Sequence, residues 1–210
     1  MVCMRCFRFA MLMIPFLALP AAAQGTATPE QGAAGQAVET IALPPEQKAT
    51  EPATVQGLLT ELRRERDPDK AQAIARQLIA MWDTSDSATV NLLMEWTDKA
   101  IAENREAAAL DFLSQAISLE PGFVGAWNKR ATLHYTDGDF AKSMADINQV
   151  LKIEPHHFGA LAGMASILDD VGREKASLKA WESYLSIYPA DRKAQDVVTK
   201  MSEKLAGSRL

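Results

Sequence analysis

The amino-acid sequence predicts an all-α chain built from antiparallel helix pairs that repeat every 34 residues. Pro121, Pro155 and Pro189 are separated by that interval, which is the period of a helix–turn–helix repeat. Proline ends a helix because it lacks a backbone N–H and crowds the preceding turn, so each of these prolines marks the end of a second helix. With 48% hydrophobic and 23% charged residues, a chain of this length can bury a core without disulfides or metals.

The first segment, residues 1–23, has the pattern of a secretory signal peptide. Two arginines precede an apolar run over residues 9–23, which ends in a proline and three alanines that form a small-residue cleavage site. The run is shorter than the ~20 apolar residues that span a bilayer. We predict a bacterial chain cleaved after Ala23, located in the periplasm or secreted, with no stable membrane insertion of the mature form. An uncleaved anchor helix is the alternative.

The next segment, residues 24–53, is predicted to be a disordered linker. It is rich in Gly, Pro, Ala, Thr and Gln and has no broad apolar face, a composition that cannot bury enough apolar surface to fold. Ile41 and Leu43 stand beside two prolines, so a short docking motif is the alternative interpretation.

After the linker, residues 56–89 are predicted to form a degenerate first helix pair, in phase with the repeats that follow. A serine stands where the later units have proline, and Arg63 stands where they have Thr97, Ala131 and Ala165. An Asp-Pro pair at 67–68 indicates an N-cap followed by proline at the first helical position. The predicted helices lie near 54–66 and 69–82.

Three better-matched units follow, at 90–123, 124–157 and 158–191. Each has a large residue near the start of its first helix, namely Leu93, Trp127 or Leu161. Each also has a small residue in its second helix that lets the two helices approach closely, namely Ala109, Ser143 or Ser177. Glycines at 138 and 172 are predicted to form the turns in the last two units, because glycine tolerates a positive φ.

The last segment, residues 192–207, is predicted to be a capping helix that closes a repeat domain over 54–208. Val197, Met201 and Leu205 form one apolar stripe, and charged residues occupy the opposite side. A polar-backed terminal helix of this kind covers the apolar face that the last helix pair would otherwise expose.

The chain resembles the tetratricopeptide repeat (TPR) family. The best unit runs from Ala126-Trp127 through Asp137-Gly138-Asp139-Phe140 to Pro155, and departs from the family at Arg130 and His134. The resemblance implies a right-handed superhelical solenoid. The chain is also similar to small exported TPR proteins of alphaproteobacteria, which have no assigned activity. Three stretches carry this similarity: Leu58-Leu59-Thr60-Glu61-Leu62-Arg63, residues 87–94 and His157-Phe158-Gly159-Ala160-Leu161.

The resemblance further implies a concave groove, lined by the first helix of each unit, that holds a peptide. The positions that line the groove in the family are carried over to this chain residue by residue, and they include Met94 and Gly125. Of the positions carried over, nine are the predicted groove residues: Glu95, Asp98, Asn128, Lys129, Thr132, Tyr135, Ala162, Ser166 and Asp169. Some family members hold a terminal carboxylate with Lys and Asn at the positions of Asn128 and Thr132. That pair is not reproduced here, so a C-terminal carboxylate is not the implied ligand.

Acidic side chains are predicted to give one wall of the groove a negative charge. They are Glu95, Asp98, Asp169 and Asp170, and they favour an extended or helical peptide with a basic or polar face. The alternative is that these carboxylates only keep the surface solvated.

No pattern of residues indicates catalysis. The sequence has no Gly-rich phosphate loop, no Gly-x-Ser-x-Gly and no His-Glu-x-x-His, so we predict no catalytic residue, no cofactor and no metal. His156 and His157 are interpreted as a turn residue and a helix N-terminal residue, and His134 as a core residue. An excess of 27 acidic over 22 basic residues argues against a nucleic-acid partner.

These observations predict a non-enzymatic protein–protein interaction module of the cell envelope, whose partner is a protein or peptide. A self-associating spacer, which forms a homodimer through its convex face or capping helix, is the first alternative. An envelope hydrolase is a remote one.

Overall fold

A computed structural model describes residues 53–207, and the described chain is entirely helical, as predicted. The predicted signal peptide with its cleavage site, and the predicted linker up to residue 52, lie outside the described residues. None of the described helices is both long and apolar enough to cross a bilayer. Their bounds are α1 Val55–Arg64, α2 Pro68–Trp82, α3 Ala88–Ala102, α4 Glu106–Leu119, α5 Val124–Thr136, α6 Phe140–Ile153, α7 Phe158–Asp170, α8 Glu174–Ile187 and α9 Arg192–Gly207.

The 34-residue period is present in the helix boundaries. Helices α5, α7 and α9 begin at residues 124, 158 and 192, and α4, α6 and α8 begin at residues 106, 140 and 174. The densest packing lies within the pairs α3–α4, α5–α6 and α7–α8, and each pair also contacts the next one along the chain. The helix α9 packs on α8 at the position where the first helix of a further unit would begin.

Small residues hold the two helices of each pair close together. Ser143 Oγ donates a hydrogen bond to the Ala131 carbonyl at 2.8 Å, and Ser177 Oγ makes the same bond to the Ala165 carbonyl at 2.7 Å. Both serines are buried. A buried hydroxyl costs free energy unless it is hydrogen-bonded, and these bonds remove that cost while the short side chain permits the contact.

The turn between the two helices of each unit contains one residue in the left-handed conformation. The three residues are Asn104, Gly138 and Gly172, with φ of 56°, 76° and 72°. In each turn the following N–H donates to the carbonyl five residues earlier, at 2.7–2.8 Å, for instance from Arg105 to Ala100, which satisfies a carbonyl at the helix end. Glycine was predicted in only two of these turns. Asparagine replaces it in the other because it tolerates this conformation.

The first helix pair forms where the degenerate pair was predicted, near 54–66 and 69–82, but α2 does not stack on α3 as the later pairs stack on each other. Helix α1 packs on α2 and on α8, and no extensive contact joins α2 to α3. The early turn at residues 65–67 starts α2 at Pro68, four residues before the periodic position. Apolar residues of the pair then form one core with the later repeats: Leu59, Leu62 and Leu78 with Phe158, Tyr184 and Tyr188.

Trp82, at the end of α2, anchors this pair to the array. Its side chain is 5% exposed, and its ring centroid lies 4.3 Å from that of His157 and 5.3 Å from that of Phe158. The Trp82 carbonyl also lies over Gly125, near the start of α5. A Cβ atom added there would be 2.7 Å from that oxygen and 3.0 Å from the Asp83 Cα.

His157 caps α7 beneath Trp82. Its Nδ1 accepts a hydrogen bond from the Ala160 backbone N–H at 3.1 Å, and the imidazole is almost completely buried. Burial lowers the pKa of His157 to about 4, because the charged imidazolium is poorly solvated in this core. The preceding histidine, His156, is more exposed, and its Nδ1 lies 3.3 Å from Glu154.

We predict that Gly125→Ala loosens the first helix pair. The new Cβ would collide with the Trp82 carbonyl oxygen at 2.7 Å and with the buried Phe123 ring at 2.8 Å, and overpacking of this kind costs about 1–3 kcal/mol. The matched control is Gly122→Ala, since a Cβ at Gly122 meets nothing within 4 Å. Urea denaturation followed by tryptophan fluorescence measures both variants. Equal stability of the two would show that α2 does not rest on Gly125.

We also predict that neutral His157 makes folding pH-dependent. The imidazole is protonated near pH 6.5 in the unfolded chain and only near pH 4 in the folded chain. The contribution of neutral His157 to the unfolding free energy is therefore complete above pH 6.5 and is lost as the pH falls from 6.5 through 4. The loss is roughly 3 kcal/mol. His157→Asn retains a capping side chain without this titration. The difference in unfolding free energy between the two proteins should therefore change between pH 7 and pH 4, and a constant difference would contradict the assignment.

Candidate functional site

A cleft of about 440 Å³ opens between the inner sides of α3 and α5. Seven of its nine lining residues carry amides, hydroxyls or charged groups, although most of the surface they present to the cleft is apolar. We call it the larger cleft; it is lined by Asp83, Ile101, Asn104, Glu106, Asn128, Lys129, Thr132, Leu133 and Thr136.

A smaller cleft of about 130 Å³ lies between α5 and α7, and α6 contributes to its lining. Two glycines of α7 leave room for it, and the γ1 and δ1 carbons of Ile147 contact the position that a side chain at Gly163 would take. We call it the smaller cleft; it is lined by Asn128, Ala131, Thr132, Tyr135, Ser143, Ile147, Gly159, Ala160, Gly163 and Ser166. Asn128 and Thr132 border both clefts, which therefore form one groove across α5.

The charges in the larger cleft are partly compensated. Lys129 Nζ forms an ion pair with Asp98, so one member of the predicted acidic wall is neutralised from within the groove. Asp83 is partly buried beside this pair. Burial raises the pKa of Asp83, nearby Lys129 opposes that shift and Asp98 adds to it.

The hydroxyl groups of the smaller cleft also have partners. The Tyr135 O–H donates to Asp170 at 2.8 Å, and this bond raises the pKa of the Tyr135 phenol because the nearby carboxylate disfavours a phenolate. Thr132 Oγ1 donates to the Asn128 carbonyl at 3.0 Å. Its oxygen lone pairs remain as acceptors, and the Asn128 amide supplies both a donor and an acceptor.

The structure brings together five of the nine predicted groove residues. Asn128, Lys129, Thr132, Tyr135 and Ser166 line one or both clefts, and Asp98 joins them through its ion pair with Lys129.

Three predicted residues lie elsewhere. Glu95 is exposed and borders neither cleft, and half-buried Ala162 packs against the core of the first helix pair. Asp169 faces a different cleft, between α7 and α9, together with Lys200 and Lys204.

Two positions carried over from the family are not available to a ligand. Gly125 is covered by Trp82 and Asp83, because the first helix pair lies over the start of α5. Met94 is buried among apolar residues of α4 and α5.

Four residues of the larger cleft, namely Asp83, Asn104, Glu106 and Leu133, lie at no position carried over from the family. Asn104 precedes Gly138 by one period, and this spacing could have identified it. Glu106 lies at the start of α4, where a hydrogen bond with the Asp137 carboxyl raises the pKa of Glu106. Asp83 had no sequence signal, since the docking of α2 alone places it here.

Behind the groove, α5 is fixed by a buried ion pair. Arg130 donates to both carboxylate oxygens of Asp146, at 2.7 and 2.8 Å, and its guanidinium lies 4.9 Å from the centroid of the Trp127 ring. His134 Nε2 is 4.0 Å from the same carboxylate. The two departures from the family pattern thus share one partner on α6, and the pair keeps the groove face of α5 in place.

Within residues 53–207, no group of three or more His, Cys, Asp or Glu side chains is arranged to hold a metal ion. No protein-family profile matches the chain.

Comparison with solved structures gives the class of fold. The chain superimposes on the first TPR domain of Spaghetti (RPAP3) bound to the HSP90 peptide SRMEEVD with a TM-score of 0.53 and 20% identity, over 58% of this chain and 99% of that one. The Sgt2 TPR domain of Aspergillus fumigatus superimposes with a TM-score of 0.53 and 17% identity, over 59% of this chain and 83% of that one. The TPR2B domain of yeast Sti1, in its complex with pHsp70, superimposes with a TM-score of 0.51 and 14% identity, over 56% of this chain and 99% of that one. The fold is therefore that of a TPR solenoid.

Sequence similarity then identifies the family. A TPR repeat-containing protein of Rhizobium etli is 57% identical over 152 residues, which cover 72% of this chain and 74% of the relative. This chain belongs to the TPR repeat-containing proteins.

We predict that Asp146→Ala costs about 3 kcal/mol of unfolding free energy, because it leaves the largely buried Arg130 guanidinium without its counter-charge. The double variant Arg130→Leu/Asp146→Ala should recover most of this loss, since no charge is then left unpaired. The control is Glu103→Ala, which breaks an exposed pair with Arg105 and should cost less than about 1 kcal/mol. Urea denaturation measures all three; a double variant no more stable than Asp146→Ala would contradict this role.

Proposed function

We propose that this chain is an exported, non-catalytic interaction module that holds an extended peptide or a helix of a partner protein in the groove formed by the two clefts. The observation that carries this proposal is that Asn128 and Thr132 border both clefts. A ligand lying across α5 would contact three successive first helices, at Ile101 of α3, at Asn128 and Thr132 of α5 and at Ser166 of α7.

The chemistry of the lining suits a peptide. An amide such as that of Asn128 can both donate to and accept from a peptide backbone, and Thr132 can accept. Some similar folds bind peptides, as the HSP90 peptide on Spaghetti shows. That complex supports peptide binding as a use of the fold, although the family's Lys–Asn carboxylate pair is absent at Asn128 and Thr132.

The charge in the larger cleft favours basic or polar side chains on the partner. Asp83 and Glu106 both border this cleft and Lys129 is already paired with Asp98, so negative charge exceeds positive charge there. A basic side chain of the ligand would pair with these carboxylates, whereas an acidic one would be repelled.

The proposed cellular location is the bacterial envelope. It rests on the signal-peptide pattern of residues 1–23, with its two arginines, apolar run and small-residue cleavage site. Partners are therefore to be sought among periplasmic and envelope proteins.

The double variant Asn128→Ala/Thr132→Ala tests the groove. In a tagged, exported copy, recovery of the partner that co-purifies with the wild type should fall at least about tenfold, as expected for the loss of two hydrogen bonds worth about 1 kcal/mol each. Far-UV circular dichroism should be unchanged, because neither side chain is a core residue.

The matched control is Gln149→Ala/Asn148→Ala, which removes two exposed polar side chains from α6 that border neither cleft. Equal recovery of the same partner by the groove variant, the control and the wild type would refute the groove proposal.

A second candidate function, the self-associating spacer, is favoured by one observation. Because α2 does not stack on α3, the α3 side chains Leu92 and Trp96 are 42% and 46% exposed, whereas Ala126, which follows Leu92 by one period, is buried. A homodimer through this end of the array would cover them. Light scattering distinguishes the candidates, since a monomer at micromolar concentration would refute the spacer.

A further inference from the structure

A third cleft of about 420 Å³ lies outside the groove, where α2 crosses the start of α7 and the connection between α8 and α9. We call it the α2 slot. It shares no lining residue with the larger or the smaller cleft. It exists because the first helix pair packs across the repeats rather than on the end of the array.

The floor of the α2 slot is aromatic. The rings of Phe158 and Tyr188 meet edge to face with centroids 5.8 Å apart, and Tyr184 stacks on Tyr188 at 5.9 Å. The Tyr184 O–H is already used, since it donates to Asp191 at 2.6 Å. All three rings are buried, with 5–8% exposed, and the large apolar side chain that the slot exposes beside them is Ile79 of α2, at 43%.

The rim of the α2 slot is cationic. Arg76 projects from α2, and Arg192 and Lys193 form the start of α9; all three line the slot and are exposed. In the described part of the chain none of the three has a carboxylate within ion-pair distance. Three unpaired cations on one cleft contrast with a chain whose net charge is −5.

Two acidic residues also line the slot, and the hydrogen-bonding capacity of one of them is already used within the protein. The Asp191 carboxylate accepts the Tyr184 hydroxyl and the backbone N–H groups of Lys193 and Ala194, at 2.9 and 3.3 Å for the last two. Asp69 lies in the first turn of α2, where the helix dipole offsets its charge. The three cations outnumber the two carboxylates in the lining, so the rim favours anions.

The length of the slot indicates the form of the ligand. Its α2 wall runs from Pro68 to Ile79, which is about 16 Å at 1.5 Å per residue. An extended chain covers that distance in about five residues. A peptide segment laid beside α2 would thus contact the aromatic floor and the cationic rim together.

We propose that the α2 slot binds an acidic peptide segment of about five residues that carries at least one large apolar side chain. The apolar side chain packs on the exposed part of Ile79, beside the buried rings of the floor, and the carboxylates face Arg76, Arg192 and Lys193. This site is distinct from the proposed groove, which favours basic or polar side chains, so the chain would hold two partner segments of opposite charge.

The probe is a fluorescein-labelled peptide of sequence Glu-Leu-Glu-Leu-Glu, blocked at its C-terminus, and its binding to the full-length mature chain is measured by fluorescence anisotropy. The proposal expects saturable binding that weakens at least about tenfold in Arg76→Gln/Arg192→Gln and weakens with added salt. The control Lys152→Gln/Lys179→Gln removes the same charge from exposed positions on α6 and α8 and should leave the affinity within about twofold.

A second variant tests the apolar part without disturbing the core. Ile79 lines the slot and is 43% exposed, so Ile79→Ser should weaken peptide binding severalfold while the unfolding midpoint stays unchanged. Tight binding of the matching peptide with Lys in place of Glu would overturn the proposal. So would equal affinity of the arginine variant and its lysine control, or the absence of saturable binding.

The groove variant Asn128→Ala/Thr132→Ala separates the two sites. It should bind the acidic peptide as the wild type does, so the slot and the groove can fail independently. Loss of the acidic peptide in the groove variant alone would place that peptide in the groove and refute the slot.

Discussion

The structure depends on one constraint: within each repeat, the two helices approach each other closely at one position where both carry small side chains. Thr97 and Ala109 of the first full repeat are completely buried, while Ser143 and Ser177 donate hydrogen bonds to the carbonyls of Ala131 and Ala165. Larger side chains here would separate the helices and expose the apolar residues between them. The same spacing sets the first helices side by side, and the polar residues on their inner sides then form a groove.

The packing of α1 and α2 decides how much of this groove is open. Trp82 rests on His157 and Phe158 and brings Asp83 to the edge of the larger cleft. The packing of the first helix pair against α5 and α7 thus covers the start of α5, creates the α2 slot and leaves Trp96 of α3 partly exposed. A helix pair that departs from the repeat pattern has more influence on the binding surfaces than any repeat that follows it.

Charge is distributed unevenly over a chain that is acidic as a whole. The Arg130–Asp146 pair is buried behind the groove, where it fixes helices rather than binding a ligand. In the larger cleft the carboxylates outnumber the single lysine, whereas Arg76, Arg192 and Lys193 surround the slot. The two proposed sites therefore select different partners by electrostatics, although both rely on helices of the same solenoid.

The sequence by itself determined the helix pairs, since prolines, small residues and glycines act on the helix that contains or precedes them, whereas Asn128, Thr132 and Tyr135 were predicted as groove residues from the resemblance to the TPR family. It did not predict that Asp98 and Tyr135 would be bound within the protein, or that Gly125 would be covered. Only the tertiary structure decided those points and the position of α1 and α2. The reason is that the contacts of Trp82 with His157 and Phe158 join residues more than seventy positions apart, and no local pattern encodes such a contact.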